Sequence, residues 1–340
     1  MNILIQFISL IFSIFIINTI LKKKNWLCSN TGELHQKFVN KNNIPLSGGF
    51  FILIGFVYGI EQSSREFYLF IFLIFLIGIL SDLNIIKSPI RRFFLQIIVT
   101  LVFIFTSNLI MGNTRIILLD YLLTNKIFNY IFVLFCITIM INGNNFIDGL
   151  NTLVIGYYTV ILSFLYFISS QKLIFIPEVN FIFLLMIFGI VYLFNFFNKL
   201  FIGDNGAYII GFTFSVILIK FFISNQHVSP FFIILLLWYP CFETLFSIIR
   251  KIITGRSPFK PDQNHLHQLV YLNLKKYIKN NKYLANIISA NLIVIYNILV
   301  FLISIQDITN TQLQLFLIIA NILIYLFIYS RLFYLKLKGV

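Results

Sequence analysis

Long apolar runs recur along the whole chain, at about 3–21, 44–61, 67–80, 93–110, 128–141, 150–170, 179–194, 206–223, 230–249, 287–305 and 314–333, with short polar segments between them. Crossing a bilayer core takes about 20 apolar residues in a helix, so each run predicts a membrane helix. The shortest, 67–80 and 128–141, reach that length only if their polar ends enter the bilayer within the protein. The pattern predicts an all-α, polytopic integral membrane protein with 10–11 transmembrane helices. The longest polar stretch is 250–286, and no internal repeat or low-complexity linker divides the chain, so 1–340 reads as a single domain.

Composition agrees. Hydrophobic residues make up 59% of the chain, with 42 Phe, and charged residues only 11%, against about 25% in soluble domains; a water-soluble globule is excluded. The formal charge of +14 reports orientation in such a chain, and nucleic acid is not an expected partner. When the loops are numbered after each helix, twenty of the 25 Lys and Arg residues fall in odd loops and the C-terminal tail. By the positive-inside rule this predicts an N-terminus outside and a C-terminus in the cytoplasm. The uncharged start MNILIQ, followed after the first run by Lys22, Lys23 and Lys24, reads as a retained signal anchor. Cys28, Cys136 and Cys241 are scattered and suggest neither a disulfide framework nor a zinc site.

Topology then sorts the acids, since a carboxylate near hydrocarbon is costly and is usually retained for a function. Asp82, Asp148, Asp204 and Asp262 fall on the expected cytoplasmic side amid Gly and Asn; Glu61, Glu66, Asp120, Glu178 and Asp307 fall in plainer turns on the other. In Gly78-Ile-Leu-Ser81-Asp82, with Lys87, Arg91, Arg92 and Gln96 following, a helix-end carboxylate near cations suits Mg²⁺ or a phosphate, or simple charge pairing. The run Asn142-Gly-Asn-Asn145-Phe-Ile-Asp148-Gly-Leu-Asn151 needs a polar partner at a membrane boundary. Gly203-Asp204-Asn205-Gly206 opens a helix, where an acid can bind a metal or serve as a plain N-cap, and free amides can hold phosphate oxygens. In Ser257-Pro-Phe-Lys260 through Asp262 to His265-Leu-His267, an extended chain would point both histidines to one side. Glu243 and Arg250 share one helix face about 10 Å apart, which suits a carboxylate that holds a basic residue or amide near the loop.

The ordered set Pro45-Leu-Ser-Gly48-Gly49, Gly-Ile-Leu-Ser-Asp82, Asn145-Phe-Ile-Asp148-Gly, Phe-Ile-Gly-Asp204-Asn-Gly and Ser-Pro-Phe…Asp262-Gln-Asn-His265-Leu-His267 resembles the bacterial polyprenyl-phosphate N-acetylhexosamine-1-phosphate transferases from residue 45 to about 270. The resemblance implies a ten- or eleven-helix enzyme of the bacterial inner membrane with a cytoplasmic-face, Mg²⁺-dependent active site (Mn²⁺ being the other ion considered). It implies transfer of an N-acetylhexosamine-1-phosphate, GlcNAc-1-phosphate being the commonest, from a UDP-N-acetylhexosamine to undecaprenyl phosphate. GalNAc, FucNAc and QuiNAc donors, or a solute transporter, are the alternatives.

It also implies site residues. Asp82, Asp148, Asp204, His265 and His267 would be catalytic, with Asp204 and Asp82 holding the metal. Asn145, Asn151, Lys87, Lys199, Arg250, Gly48 and Gly49 would bind substrate, with the two lysines as point charges on phosphates. Membrane lipid surrounds such an enzyme, and a homodimer is compatible with it. The chain departs from the family pattern at Ser81, often Asp, at Asn151, often Asp, at Ala207, usually Ser, and at Gln268, usually His.

Overall fold

The computed structural model describes residues 3–28, 43–60, 65–171, 174, 179–260, 262–278 and 281–338. Glu61 and Glu178, and the lysines Lys37, Lys41, Lys172 and Lys279 of the charge count, lie outside the described residues. The protein is all-α: α1 (Ile3–Lys23), α2 (Gly48–Gly59), α3 (Arg65–Asp82), α4 (Pro89–Ser107), α5 (Ile117–Leu123), α6 (Lys126–Ile147), α7 (Leu153–Ser170), α8 (Phe181–Phe196), α9 (Gly203–Ser224), α10 (Pro230–Leu236), α11 (Trp238–Ile253), α12 (Leu266–Tyr277), α13 (Lys282–Ser304) and α14 (Thr311–Leu337). Every predicted apolar run is helical. Six of these helices are long and apolar enough to cross a membrane, and α10 with α11 makes a bent seventh, while α2 and α8 are apolar but shorter. The chain is a polytopic membrane protein.

The many asparagines between runs have a local purpose. Asn125, Asn180, Asn281 and Asn310 each sit one residue before a helix and accept a hydrogen bond from a first-turn amide, which satisfies donors the helix itself cannot. The short α2 is completed by its flanks. Phe201 N donates to Pro45 O (2.8 Å) and Asn180 N to Gly59 O (2.7 Å), so backbone groups near its ends are paired within the protein.

Three expectations are corrected. The run 230–249 is not one helix: it breaks at Leu237 and bends by 75°. Pro240 has no N–H for the carbonyl of Leu236, four residues back, and Tyr157 Oη donates to that carbonyl instead (2.8 Å). The asparagines at 142, 144 and 145 lie on the last turns of α6 rather than in a loop, and the polar stretch 250–286 contains α12.

At the centre stands α9, buried over 83% of its apolar window and packed against α2, α3 and α6. Backbones approach closely there. A Cβ on Gly78 of α3 would lie 2.3 Å from Asn205 Cα, and one on Gly49 of α2 would lie 1.8 Å from Asn205 Oδ1. Gly189 of α8, by contrast, has open space beside it. Gly78→Ala should therefore destabilise the protein by about 1–3 kcal/mol through overpacking, seen as a lower melting temperature in detergent. Gly189→Ala should be neutral or slightly stabilising, since alanine is the better helix former.

Candidate functional site

The C-terminal ends of α3 and α6, the N-terminus of α9 and the segment that leads into α12 enclose a cavity of about 760 Å³. Asp82, Asp148, Asp204, Asn145, Asn151 and His265 all line it, which brings together sequence positions up to 183 residues apart. Its other wall is apolar, with Phe93, Phe135, Ile139, Leu245 and Ile248.

Asp82 ends α3 and faces the start of α9. Its Oδ1 accepts from Asp204 N (3.0 Å) and its Oδ2 from Asn205 N (3.1 Å) and from Asn205 Nδ2. A carboxylate at this position meets the positive end of the helix dipole and two amides that have no partner within the helix. Asp204 sits one residue into α9 and is held from three elements. Arg92 Nη1 of α4 donates to Oδ2 (2.7 Å), as do Ser81 Oγ and Tyr208 Oη (3.2 Å), while Asn145 Nδ2 of α6 donates to Oδ1 (2.5 Å). Arg92 Nη1 also donates to Ser81 Oγ. Asp148 follows the end of α6 and its carboxylate accepts no hydrogen bond from a described side chain; it lies within electrostatic reach of both other acids.

Asn151 lines the cavity, but both hydrogens of its amide point into the protein, to Asn195 O (3.2 Å) and Asn198 Oδ1, and its backbone N–H donates to Asn286 Oδ1 (2.9 Å). It ties the start of α7 to the end of α8 and to α13.

The segment before α12 forms the remaining wall. Lys251 Nζ donates to Pro258 O (3.0 Å) and Lys260 O (2.8 Å), and Arg250 Nη1 donates to Asp262 Oδ2 (2.7 Å). His265 stands between two carboxylates, with Nδ1 3.0 Å from Glu243 Oε1 and Nε2 3.3 Å from Asp262 Oδ1. Its ring packs on Phe146 of α6 and stacks on His267. Burial pushes the Asp262 carboxyl up, but the Arg250 hydrogen bond and the charges of His265, Arg250 and Lys251 outweigh it and hold the group below the ordinary carboxylate range.

Several expected site residues do not line the cavity. Because α12 starts at Leu266, the segment is not extended through both histidines, and His267 is fully buried with Nε2 2.4 Å from where a Gly149 Cβ would be. Arg250 serves Asp262 instead. Gly48 and Gly49 are packing positions that let α2 meet α9, where any side chain would strike Phe201, Ile202 or Asn205. Lys87 and Lys199 are exposed. Sequence reasoning missed the role of Arg92, and of Ser81, Tyr208, Lys251 and Lys260, which also line the cavity. A signal existed: Arg92 and Gln96 lie four residues apart on a helix and thus on one face, and Gln96 is buried, accepting from Asn142 Nδ2 (3.1 Å).

The donors at the polar end are hard oxygens, the kind Mg²⁺ takes. Among the described residues no three of the His, Cys, Asp and Glu side chains converge to hold a metal by themselves.

Residues 65–222 match the model of glycosyl transferase family 4. The chain is 26% identical over 276 residues to a probable undecaprenyl-phosphate N-acetylglucosaminyl 1-phosphate transferase of Bacillus subtilis (strain 168), covering 78% of this chain and 76% of the relative. It is 28% identical over 246 residues to the undecaprenyl-phosphate alpha-N-acetylglucosaminyl 1-phosphate transferase of Salmonella typhi, covering 67% of this chain and 65% of that protein. A protein of the same description from Thermotoga maritima is 25% identical over 234 residues, covering 69% and 70%. The match to the Salmonella protein thus spans just under two thirds of its length. The family resemblance read from the motifs is borne out.

The depressed carboxyl of Asp262 gives a signed prediction. A group whose folded pKa lies below its unfolded value, about 3.9 for Asp, stabilises above that value and loses the contribution as pH falls through the folded one. Limited proteolysis between Thr254 and His265 should therefore accelerate on acidification below about pH 4. Asp262→Asn should show faster cleavage already at pH 7.

Proposed function

From the likeness to glycosyl transferase family 4, we propose that this protein transfers a sugar-1-phosphate, most simply GlcNAc-1-phosphate, from a UDP-sugar to undecaprenyl phosphate, releasing UMP at the cytoplasmic face of the bacterial inner membrane. The observation that carries the reading is the shape of the cavity's lining: the carboxylates of Asp82, Asp148, Asp204 and Asp262 with Arg92, Lys251 and Lys260 at one end, and aromatic and aliphatic side chains from α4, α6 and α11 along the other wall. A diphosphate donor suits the first, and the start of a polyprenyl tail the second.

An oxygen of the acceptor phosphate forms a bond to the sugar-bearing phosphorus of the donor. The bond from that phosphorus to the bridging oxygen breaks, and the oxygen leaves with UMP. A phosphate monoester has a second pKa near 6, so the nucleophile is already mostly dianionic at neutral pH and needs no strong base. This makes Ser81 acceptable where the family often has an acid. Catalysis then rests on positioning and on charge stabilisation. Mg²⁺, held by Asp204 with Asp148 or Asp82 and the donor phosphates, would neutralise the charge that develops on the leaving group.

The chain's own residues supply the rest. Asp82 holds the start of α9, and therefore Asp204, in place. Asn145 orients Asp204 through Oδ1. Arg92 stands at Oδ2, in reach to contact a phosphate oxygen as a planar, permanently charged fork. His265, fixed between Glu243 and Asp262, presents one edge of the loop to the donor.

The test is purified protein with undecaprenyl phosphate, Mg²⁺ and a panel of UDP-N-acetylhexosamines, read as UMP release and butanol-extractable labelled lipid. One donor should give lipid product that is abolished by EDTA. Asp204→Asn should lower the rate by on the order of 10²–10³, the range found when a transition-state charge contact is removed. Lipid labelling by no donor, in protein whose melting curve is intact, would refute the reading, and uptake of solute into vesicles would then be the measurement to make.

A further inference from the structure

The last helix, α14, lies beyond residue 270, where the motif resemblance ends, and faces mostly outward: only 28% of its apolar window is buried. Two of its side chains nevertheless turn inward to the wall that carries His265. Tyr325, 1% exposed, donates through Oη to Glu243 Oε2 (2.8 Å), while the other oxygen of Glu243 meets His265 Nδ1 at 3.0 Å. Lys336 Nζ donates to Gln263 O (3.0 Å) and to Asn264 Oδ1 (2.6 Å). Tyr325 and Lys336 are eleven residues apart, which is three turns and about 20°, so they share one face of the helix. Between them Tyr329 is also buried and stacks beside Tyr325 and against Phe246 of α11.

Three consecutive residues, Gln263, Asn264 and His265, are thus reached from α14, two directly and one through Glu243. Arg250 and Lys251 of α11 support the segment at Pro258, Lys260 and Asp262. A segment with two fixed ends still pivots in its middle unless something fixes it there. A lysine ammonium ordered onto a backbone carbonyl and an amide oxygen, near the end of a helix that faces mostly outward, opposes the entropy of a long flexible side chain. A merely lipid-facing helix has no need of it.

We infer that α14 is a positioning element for the donor-facing wall of the cavity, and that Tyr325 and Lys336 are positioning residues that set where His265 stands. Neither touches the cavity. Their effect passes through Glu243 and through the backbone at 263 and 264. In its kinetic part the inference rests on the transferase reading; in its structural part it does not.

The experiment uses the full-length protein in detergent, with Lys336→Met, Lys336→Arg and Tyr325→Phe, and two readouts. Amide hydrogen exchange over 262–266 should quicken about tenfold in Lys336→Met and Tyr325→Phe, the loss of one charge-assisted or buried hydrogen bond, with peptides from α9 unchanged. Lys336→Arg, which keeps the charge and the donors, should restore most of the protection. With UDP-sugar and undecaprenyl phosphate, KM for the donor should rise about tenfold in Lys336→Met and Tyr325→Phe while KM for the lipid stays put. Unchanged exchange in both variants overturns the inference, as does equal quickening in α9, which would mark a purely structural helix. Faster loop exchange with an unmoved donor KM overturns the positioning role as well. If the wild type releases no UMP from any donor, the transferase reading fails by itself, and exchange still decides whether α14 holds the wall.

Discussion

A helix that begins inside a membrane protein leaves its first amides without partners, and one buried on every side has no water to satisfy them. The start of α9 solves this with a carboxylate from another helix, Asp82 of α3, whose two oxygens take the N–H groups of Asp204 and Asn205. Much follows from that contact. It requires α3 to approach α9 at backbone distance, which is why residue 78 carries no side chain. It delivers Asp204 to the cavity on the first turn of a rigid element rather than on a loop. It also sorts the acids: Asp82 is held by a helix end, Asp204 by Arg92, Ser81, Tyr208 and Asn145, and Asp148 is left open to the cavity.

The second constraint is Pro240. By breaking the ladder between α10 and α11 it turns α11 aside by 75°, and the carbonyl it orphans is taken by Tyr157. The redirected helix carries Glu243, Arg250 and Lys251, and these three hold the segment that closes the cavity. Site and fold are therefore not separable here. The bend that leaves the Leu236 carbonyl to Tyr157 also sets the course of the helix from which the wall is held.

The spans were legible because hydrocarbon imposes one length and one composition on every helix, so apolar runs stand out without help from neighbours. The acids were legible for a related reason: a carboxylate beside hydrocarbon is rare unless it has partners or a function, and Asp82, Asp148 and Asp204 do converge. Asparagine carried less information than it seemed to carry in the run 142–151. Asn144 accepts from Tyr158 Oη, Asn142 bonds Gln96, and Asn151 bonds Asn195 and Asn198, so most of that polarity faces other helices. Residue type cannot distinguish an amide aimed at a ligand from one aimed at a neighbour. The glycines 48 and 49 misled in the same way, since close approach of a backbone and close approach of a ligand call for the same absence of a side chain. Lys87 and Lys199, which are exposed and do not line the cavity, illustrate a different ambiguity: a basic residue at the membrane boundary already has a topological reason to be there.

The departure at Ser81 shows how the remaining charge is arranged. A carboxylate at that position would place a further acid beside Asp82, Asp148 and Asp204, which already repel one another. It would then need a cation of its own. A hydroxyl needs none, and it can donate to one group while accepting from another. Ser81 does so, donating to Asp204 and accepting from Arg92, and thereby closes a three-membered cluster from α3, α4 and α9. Ser81 leaves Arg92 matched to Asp204 rather than shared between two acids, with Asp82 held by the start of α9 and Asp148 open to the cavity. A polar end built this way leaves the Asp148 carboxylate open to the cavity while Arg92, Ser81 and Asp204 satisfy one another.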